Sequence, residues 1–143
     1  MRQNNELAVI TKAKDLASYV MTVTQKSPKQ FRFSFVGRMQ NLVLEVIENL
    51  YRANDTFVVN NDMKVYYERL EYQRKAMTSI KLLNYMALLA TEQKCLLPKQ
   101  YEQIARLSSD CQNMLGAWMT TITLLGLHCL MSETNPKLGG QNN

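Results

Sequence analysis

Apolar residues recur at steps of three and four along most of this chain, the spacing that places side chains on one face of an α-helix. The first such stretch runs from about Asn5 to Lys26, and Glu6 lies in its first turn, where negative charge is favoured. Its apolar stripe comprises Ile10, Ala13, Ala17 and Val20. The pattern predicts a first amphipathic helix over these residues.

A second helix is predicted to begin at Ser27. Ser27, Pro28 and Gln30 fit the N-cap, N1 and N3 positions, where a glutamine at N3 can bond back to the N-cap amide. The helix is predicted to end near Asn54, and its Glu48 lies four residues before Arg52, a favourable pair. Its apolar stripe comprises Phe35, Met39, Leu42, Val43, Val46 and Leu50.

A third helix is predicted to be capped by residues 60–62, Asn-Asn-Asp, and to continue to about Gln93. Residues 57–59, Phe-Val-Val, could form a short strand in isolation, but we expect a loop that packs against the helices. The inner stripe of the third helix comprises Ala76, Ile80, Leu83, Ala87 and Ala90.

A fourth helix is predicted to begin after Leu97, with Pro98 in its first turn. Its stripe comprises Ile104, Leu107, Cys111, Leu115, Trp118, Ile122, Leu125 and Cys129. Four amphipathic helices with short connections predict an all-α, antiparallel up-down-up-down four-helix bundle. Residues 1–131 would form one domain, and the polar residues 132–143 a flexible tail.

The chain has more apolar residues than one four-helix core needs, with 46% of its residues hydrophobic. Left on the surface of a monomer, the surplus would form an unusually large apolar patch. We therefore predict a homo-oligomer whose interface includes Leu82, Met86, Leu89, Leu124, Leu127 and Leu130.

A cytoplasmic protein outside the membrane is expected. Residues 111–132 carry no formal charge, but they include several polar residues, so a core helix is favoured over a membrane span. Three cysteines without CxxC spacing favour free thiols in a reducing compartment, and the polar start favours a chain without a secretory signal.

Catalytic chemistry has little support in the sequence. The single histidine, His128, lies late in an apolar helix and is expected to be partly buried with one hydrogen-bond partner. Glu45 and Glu48 flank an apolar stripe and are expected on a solvated or ion-paired face. No phosphate-binding glycine motif or set of metal ligands at ligand spacing is present. We expect a non-enzymatic protein without a cofactor or metal.

The basic residues are more informative, because 17 Lys and Arg outnumber 12 Asp and Glu. No acid lies between Leu16 and Leu44, an interval that contains Lys26, Lys29, Arg32 and Arg38 interleaved with Phe31, Phe33 and Phe35. A second acid-free interval places Arg74, Thr78, Lys81 and Tyr85 on one helix face. Such rows suit phosphate contacts and base stacking. From the pattern alone, however, an ordinary solvated face is favoured.

The stretch from Ser27 to Asn54, SPKQFRFSFVGRMQNLVLEVIENLYRAN, resembles the second helix of a family of small bacterial four-helix-bundle proteins. This family includes proteins encoded in intervening sequences of ribosomal RNA genes, and Avd, the accessory variability determinant of diversity-generating retroelements. The fourth predicted helix, with its Lys-Gln-Tyr-Glu start (99–102) and Met-Leu-Gly-Ala-Trp run (114–118), resembles Avd more closely. The resemblance covers roughly residues 7–122.

The resemblance implies a non-enzymatic accessory protein that forms a pentameric barrel. It implies binding to a reverse transcriptase and its structured template RNA through a basic surface, in support of mutagenic retrohoming. Arg32, Arg38 and Lys94 fall on basic positions of the family pattern.

The chain departs from the family pattern in two places. Leu88 and Thr91 stand where basic residues are usual in the third helix, whose basic residues lie earlier, at Arg74, Lys75 and Lys81. The extension at 123–131 is also longer and more apolar than in Avd. The alternative hypothesis is a stand-alone oligomeric interaction module of the intervening-sequence type with no nucleic-acid role.

Overall fold

The computed structural model describes residues 2–58 and 62–134, and this part of the chain is all-helical, with no strand. It contains four long helices: α1 (Arg2–Thr24), α2 (Gly37–Asp55), α3 (Met63–Glu92) and α4 (Pro98–Thr134). A 3₁₀ turn (Lys29–Phe31) and a π turn (Arg32–Val36) lie between α1 and α2. The all-α prediction of four helices is confirmed.

Each long helix packs against two others: α1 and α3 both contact α2 and α4. The buried side chains form two clusters. One includes Leu16, Val20, Met39, Leu42, Leu83, Ala87 and Ile104, and the other includes Val9, Ala13, Leu50, Ala76, Ile80, Leu115 and Trp118. The predicted inner stripe of α3 is fully buried, and in the stripe of α4 only Leu107 and Leu125 are partly exposed. The 3.6-residue periodicity therefore identified the core.

The predicted start of the second helix is wrong in detail. Pro28 precedes the 3₁₀ turn and no side chain caps it, so Ser27 and Gln30 do not form a capping box. The chain winds first as a 3₁₀ turn and then as a π turn, and the α-helix begins only at Gly37. In this winding Phe31 and Phe35 both pack against the core, with ring centres 5.9 Å apart.

The first helix begins at Arg2, before the expected start near Asn5, so Glu6 is not in its first turn. The other helix boundaries are close to those expected. Asp62 is the N-cap of α3, and its carboxylate accepts a hydrogen bond from the Lys64 amide at 3.1 Å. The two asparagines at 60 and 61 lie outside the described residues. At the start of α4, the Gln100 side chain accepts a hydrogen bond from the Leu97 amide at 2.9 Å. Val58 packs against the core without forming a strand, as expected for the loop, but Phe57 is 79% exposed. Val59 lies outside the described residues.

Two polar residues extend the inner stripe of α3 toward its start, which the sequence analysis missed. Arg69 and Gln73 are 7% and 0% exposed, and with Ala76 and Ile80 they continue the heptad-like spacing of the stripe. The Arg69 Nε donates a hydrogen bond to the Ala53 carbonyl at 2.9 Å, and its Nη2 donates to the Asn54 carbonyl at 3.4 Å. Arg69 therefore caps the C-terminal end of α2, where partial negative charge accumulates.

The last helix, α4, is the longest, with 37 residues. By length and composition it is apolar enough to cross a membrane, and 28% of its most apolar 18-residue window is buried inside the structure; a single such helix is weak support for a span. It includes residues 132–134 of the predicted tail, whereas residues 135–143 lie outside the described part of the chain.

Candidate nucleic-acid interface

All eight basic residues proposed for nucleic-acid binding are exposed, and they fall into two groups. We call the first the connection group, because its members lie in or beside the segments that join α1 to α2 and α3 to α4. It comprises Lys26, Lys29, Arg32, Arg38 and Lys94. The second, the α3 group, comprises Arg74, Lys75 and Lys81.

The 3₁₀ and π turns position Lys29 and Arg32. The Gly37 amide donates hydrogen bonds to the carbonyls of Arg32 and Ser34, which closes the π turn. A Cβ on residue 37 would approach the Arg32 carbonyl oxygen to 3.3 Å, so glycine allows this tight closure. Arg38 follows directly in the first turn of α2. One short, hydrogen-bonded segment therefore presents three cations to solvent.

The end of α1 is fixed to α2 beside this segment. The buried Thr24 hydroxyl donates to the Val20 carbonyl at 2.6 Å and accepts from the Gln40 Nε2 at 3.0 Å. Buried, hydrogen-bonded side chains of this kind hold a connection rigid. The position of Lys26, two residues after Thr24, is thus set by contacts to both helices.

Lys94 has a positive φ of 63°, the left-handed conformation that glycine usually occupies after a helix. This reversal lets the amides of Cys95 and Leu96 donate to the Ala90 carbonyl, at 2.8 and 3.3 Å. The two residues that follow Lys94 are consequently buried while the lysine stays exposed. The turn therefore displays a cation at a position where a non-glycine residue is strained.

The two connections meet in one core cluster, which includes Val23 near the end of α1, the adjoining Phe31, and Cys95 and Leu96. Burial raises the pKa of the Cys95 thiol. Lys94 directly precedes Cys95, and Lys26 follows Val23 by three residues. The structure therefore brings together the basic residues that the sequence places in two separate segments.

The α3 group lies earlier on α3 than the connection that carries Lys94. The predicted row of Arg74, Thr78, Lys81 and Tyr85 is exposed along α3, as expected from its spacing. Lys81 precedes Glu92 by 11 positions, or about 16 Å of helix, and the exposed Glu92 carboxylate lies at the connection end. The last cation of the α3 group is therefore about 16 Å along the helix from that connection.

Neighbouring side chains partly engage the α3 group. The Lys75 ammonium lies 5.6 Å from the centre of the Tyr72 ring. Nearby, Arg52 and Glu48 form the predicted ion pair, with an N–O distance of 2.8 Å. The Glu48 carboxylate, and to a smaller extent Tyr72, raise the pKa of Arg52. Because Glu48 is already paired with Arg52, this acid adds no net negative charge to the patch.

The remaining candidate residues show no catalytic arrangement. His128 is exposed, so the expectation of a partly buried histidine is wrong; it lies on the outer face of α4. The side chain of Glu45 accepts a hydrogen bond from the Ser79 hydroxyl at 3.5 Å. Across residues 2–58 and 62–134, no three potential metal ligands lie close enough to hold an ion.

All three cysteines are buried, and Cys95 and Cys111 are free thiols, as the sequence predicted. Burial raises the pKa of Cys111 to about 11, and the nearby Asp110 carboxylate adds to that rise. Because only a thiolate is an effective nucleophile or metal ligand, Cys111 is suited to packing and not to chemistry.

The predicted interface residues are mostly accessible. Leu82, Leu124, Leu127 and Leu130 are 43–61% exposed, whereas Met86 and Leu89 are half-buried. Leu127 and Leu130 also line a groove between the start of α3 and the end of α4, together with Met63, Tyr66, Tyr67 and Gly126. An apolar surface is therefore present on both α3 and α4.

The sequence pattern did not distinguish Phe33 from its two aromatic neighbours. Its side chain is 96% exposed, whereas Phe31 and Phe35 pack against the core. The spacing of the three phenylalanines could have identified Phe33 as the exposed one, because a residue two positions from each of two core residues lies on the opposite side of a helix.

Comparison of the sequence with models of known protein families and with curated protein sequences gives no match.

Proposed function

We propose that this chain is an Avd-like, non-enzymatic accessory protein of a diversity-generating retroelement. It binds structured template RNA and the reverse transcriptase through a basic surface, and it supports mutagenic retrohoming. In this proposal the subunit is an antiparallel up-down-up-down bundle that assembles into a pentameric barrel in the cytoplasm of a bacterium.

The observation that carries the RNA part of the proposal is the connection group. Its five exposed cations lie in or beside two connections that pack into one core cluster, through Phe31 in the first and Cys95 and Leu96 in the second. No acid interrupts residues 17–44, so the field of the four cations in that segment is not cancelled there, whereas Lys94 lies two residues from the exposed Glu92. Clustered, exposed cations attract phosphate without selecting a base sequence, as expected for a factor that recognises folded RNA.

Two features support the assembly part. The core clusters combine the end of α1 with the start of α2, and the end of α3 with the start of α4, which suits antiparallel neighbours. Exposed leucines on α3 and α4 provide apolar area that a subunit contact would bury.

The test is RNA binding measured by fluorescence anisotropy over a range of salt concentrations. A structured RNA hairpin serves as the probe, with the wild type, a Lys29→Glu/Arg32→Glu variant and an Arg74→Glu/Lys81→Glu variant. We expect the first pair of changes to weaken binding most, and the wild-type affinity to fall steeply with salt.

The matched control is Lys14→Glu/Arg106→Glu, which makes the same change of net charge at exposed positions on α1 and α4. It should bind nearly as well as the wild type. Absence of RNA binding at low salt, or equal loss in all three variants, would refute the basic-surface proposal. The first of these results would favour the stand-alone interaction module.

The partner half of the proposal needs a separate measurement. Co-expression with the reverse transcriptase of a diversity-generating retroelement should give a complex that survives size-exclusion chromatography at moderate salt. Failure to co-elute with any such enzyme would refute the proposed binding to a reverse transcriptase and would leave the RNA-binding result unchanged.

A further inference from the structure

Phe33 is the most exposed large apolar side chain in the described part of the molecule, at 96%. The rings of Phe31 and Phe35, two residues away on either side, are 5.9 Å apart and pack against the core. The neighbouring rings thus anchor the segment, while the middle ring projects into solvent.

The backbone that carries Phe33 is well fixed. It lies within the π turn, between the Arg32 and Ser34 carbonyls, which both accept hydrogen bonds from the Gly37 amide. Irregular helical turns of this type are frequent at functional sites. A ring on a fixed backbone loses little conformational entropy when a ligand covers it.

Cations surround the ring in sequence. Arg32 is adjacent, Lys29 and Arg38 lie about one turn away on either side, and all three are exposed. A second exposed ring, Phe57, provides a contrast because it is 79% exposed but lies between Asp55 and Asp62, both exposed acids. Positive charge therefore flanks the exposed ring of Phe33, whereas negative charge flanks the exposed ring of Phe57.

We infer that Phe33 is a stacking platform for an unpaired nucleobase, with Lys29, Arg32 and Arg38 contacting the flanking phosphates. The inference rests on the proposed RNA binding and adds the class of RNA: single strands or loops with accessible base faces. Base faces in a continuous duplex are already stacked and cannot cover the ring. Stacking tolerates any base, so the site would recognise unpaired RNA and not a sequence.

The experiment compares two RNA probes of equal length, an unstructured single strand and a fully paired duplex. The proteins are the wild type, Phe33→Ala, Phe33→Leu, Phe33→Tyr and the control Phe57→Ala. We expect about tenfold weaker single-strand binding for Phe33→Ala and Phe33→Leu. Phe33→Tyr and Phe57→Ala should match the wild type, and duplex binding should be the same for all five.

Salt dependence separates stacking from charge. The slope of log affinity against log salt should be unchanged in Phe33→Ala, because no phosphate contact is removed. It should become less steep in Lys29→Glu/Arg32→Glu. Circular dichroism melting should show that Phe33→Ala is folded, since an exposed ring contributes little to the core.

A spectroscopic signal tests the contact directly. Trp118 is the chain's single tryptophan and is 6% exposed, so Phe33→Trp adds one solvent-exposed fluorophore. Its emission should be quenched by the single strand and not by the duplex.

The outcomes distinguish the two proposals. If the wild type binds neither probe, both proposals fail. If it binds, and only the charge reversals weaken binding, the stacking inference alone is wrong. Two further results would overturn the stacking inference: wild-type single-strand affinity in Phe33→Leu, and an equal loss of affinity for both probes in Phe33→Ala. Wild-type affinity in Phe33→Leu would indicate a general apolar contact, such as a protein partner makes.

Discussion

The guanidinium carbon of Arg69 lies 5.7 Å from the centre of the Trp118 ring. The same guanidinium donates hydrogen bonds to the last carbonyls of α2, at Ala53 and Asn54. A single buried charge on α3 thus contacts both α2 and α4. It is stabilised by a cation–π contact on one side and by the helix C-terminus on the other.

Replacing Arg69 with Met should lower the free energy of unfolding by about 3 kcal/mol, because buried carbonyls lose a charged donor. Urea unfolding followed by circular dichroism measures this change. The control is Arg52→Met, which removes an exposed ion pair and should have little effect. A loss of less than about 1 kcal/mol for Arg69→Met would show that the capping contact is unimportant.

Trp118→Ala should cost about 3–5 kcal/mol, since the side chain is buried in the core cluster that contains Leu115 and Ile122. Trp118→Phe should cost clearly less, because it keeps an aromatic ring beside Arg69. A double-mutant cycle of Trp118→Ala with Arg69→Met isolates their coupling, which we expect to be about 1 kcal/mol. Strict additivity would mean that the cation–π contact contributes nothing.

Lys94→Gly should raise the stability by about 1 kcal/mol, because glycine adopts a φ of 63° without the steric cost that lysine bears there. The same change should weaken RNA binding and reduce the salt slope by about 1, as expected for one lost phosphate contact. Thermal melting and anisotropy measure the two effects. The control is Lys99→Gly, which should destabilise the protein because residue 99 is helical. If both glycine variants changed the stability in the same direction, the turn geometry at residue 94 would not be the cause.

The stability should fall between about pH 9 and pH 11 through Cys111. Burial raises its pKa from 9.0 to about 11, so the unfolded chain ionises first as the pH rises, and the thiolate favours unfolding. The contribution is about 2–3 kcal/mol over this interval. Urea unfolding of Cys111→Ala should show a flatter pH dependence than the wild type. Parallel pH profiles for the two proteins would contradict the assignment.

The exposed leucines of α4 should support self-association. Light scattering at micromolar concentration should show an oligomer for the wild type and a lower mass for Leu124→Glu/Leu127→Glu. Leu44→Glu, at a 52% exposed position on α2, is the matched control and should not change the mass. A monomeric wild type would refute the prediction of an oligomer.

The sequence predicted most of the core, because helices bury residues at a fixed period and the stripes of α3 and α4 are long. Asp62 and Pro98 correctly predicted the starts of α3 and α4, because aspartate is favoured at the N-cap of a helix and proline in its first turn. The inward Arg69 was missed because charged residues are seldom buried, although it lies on the continuation of the α3 stripe.

The start of α2 could not be predicted from local capping chemistry. Ser27 and Pro28 favour an α-helical N-terminus, but packing of Phe31 and Phe35 against the core accompanies a different winding. The basic residues were identified correctly as exposed. Their grouping depends on the packing of Phe31 and Cys95 into one core cluster. These two residues are 64 positions apart in the sequence, and no local pattern connects them.

The π turn at residues 32–36 contains one residue more than α-helical winding would use. A π turn closes hydrogen bonds five residues apart where an α-helix closes them four apart, so it equals an α-helix with one inserted residue. Deleting one residue there would restore α-helical winding, whereas the same deletion inside α2 would rotate the residues before it by about 100° around the helix axis. The outward direction of Phe33 therefore depends on this extra residue together with the anchoring rings of Phe31 and Phe35.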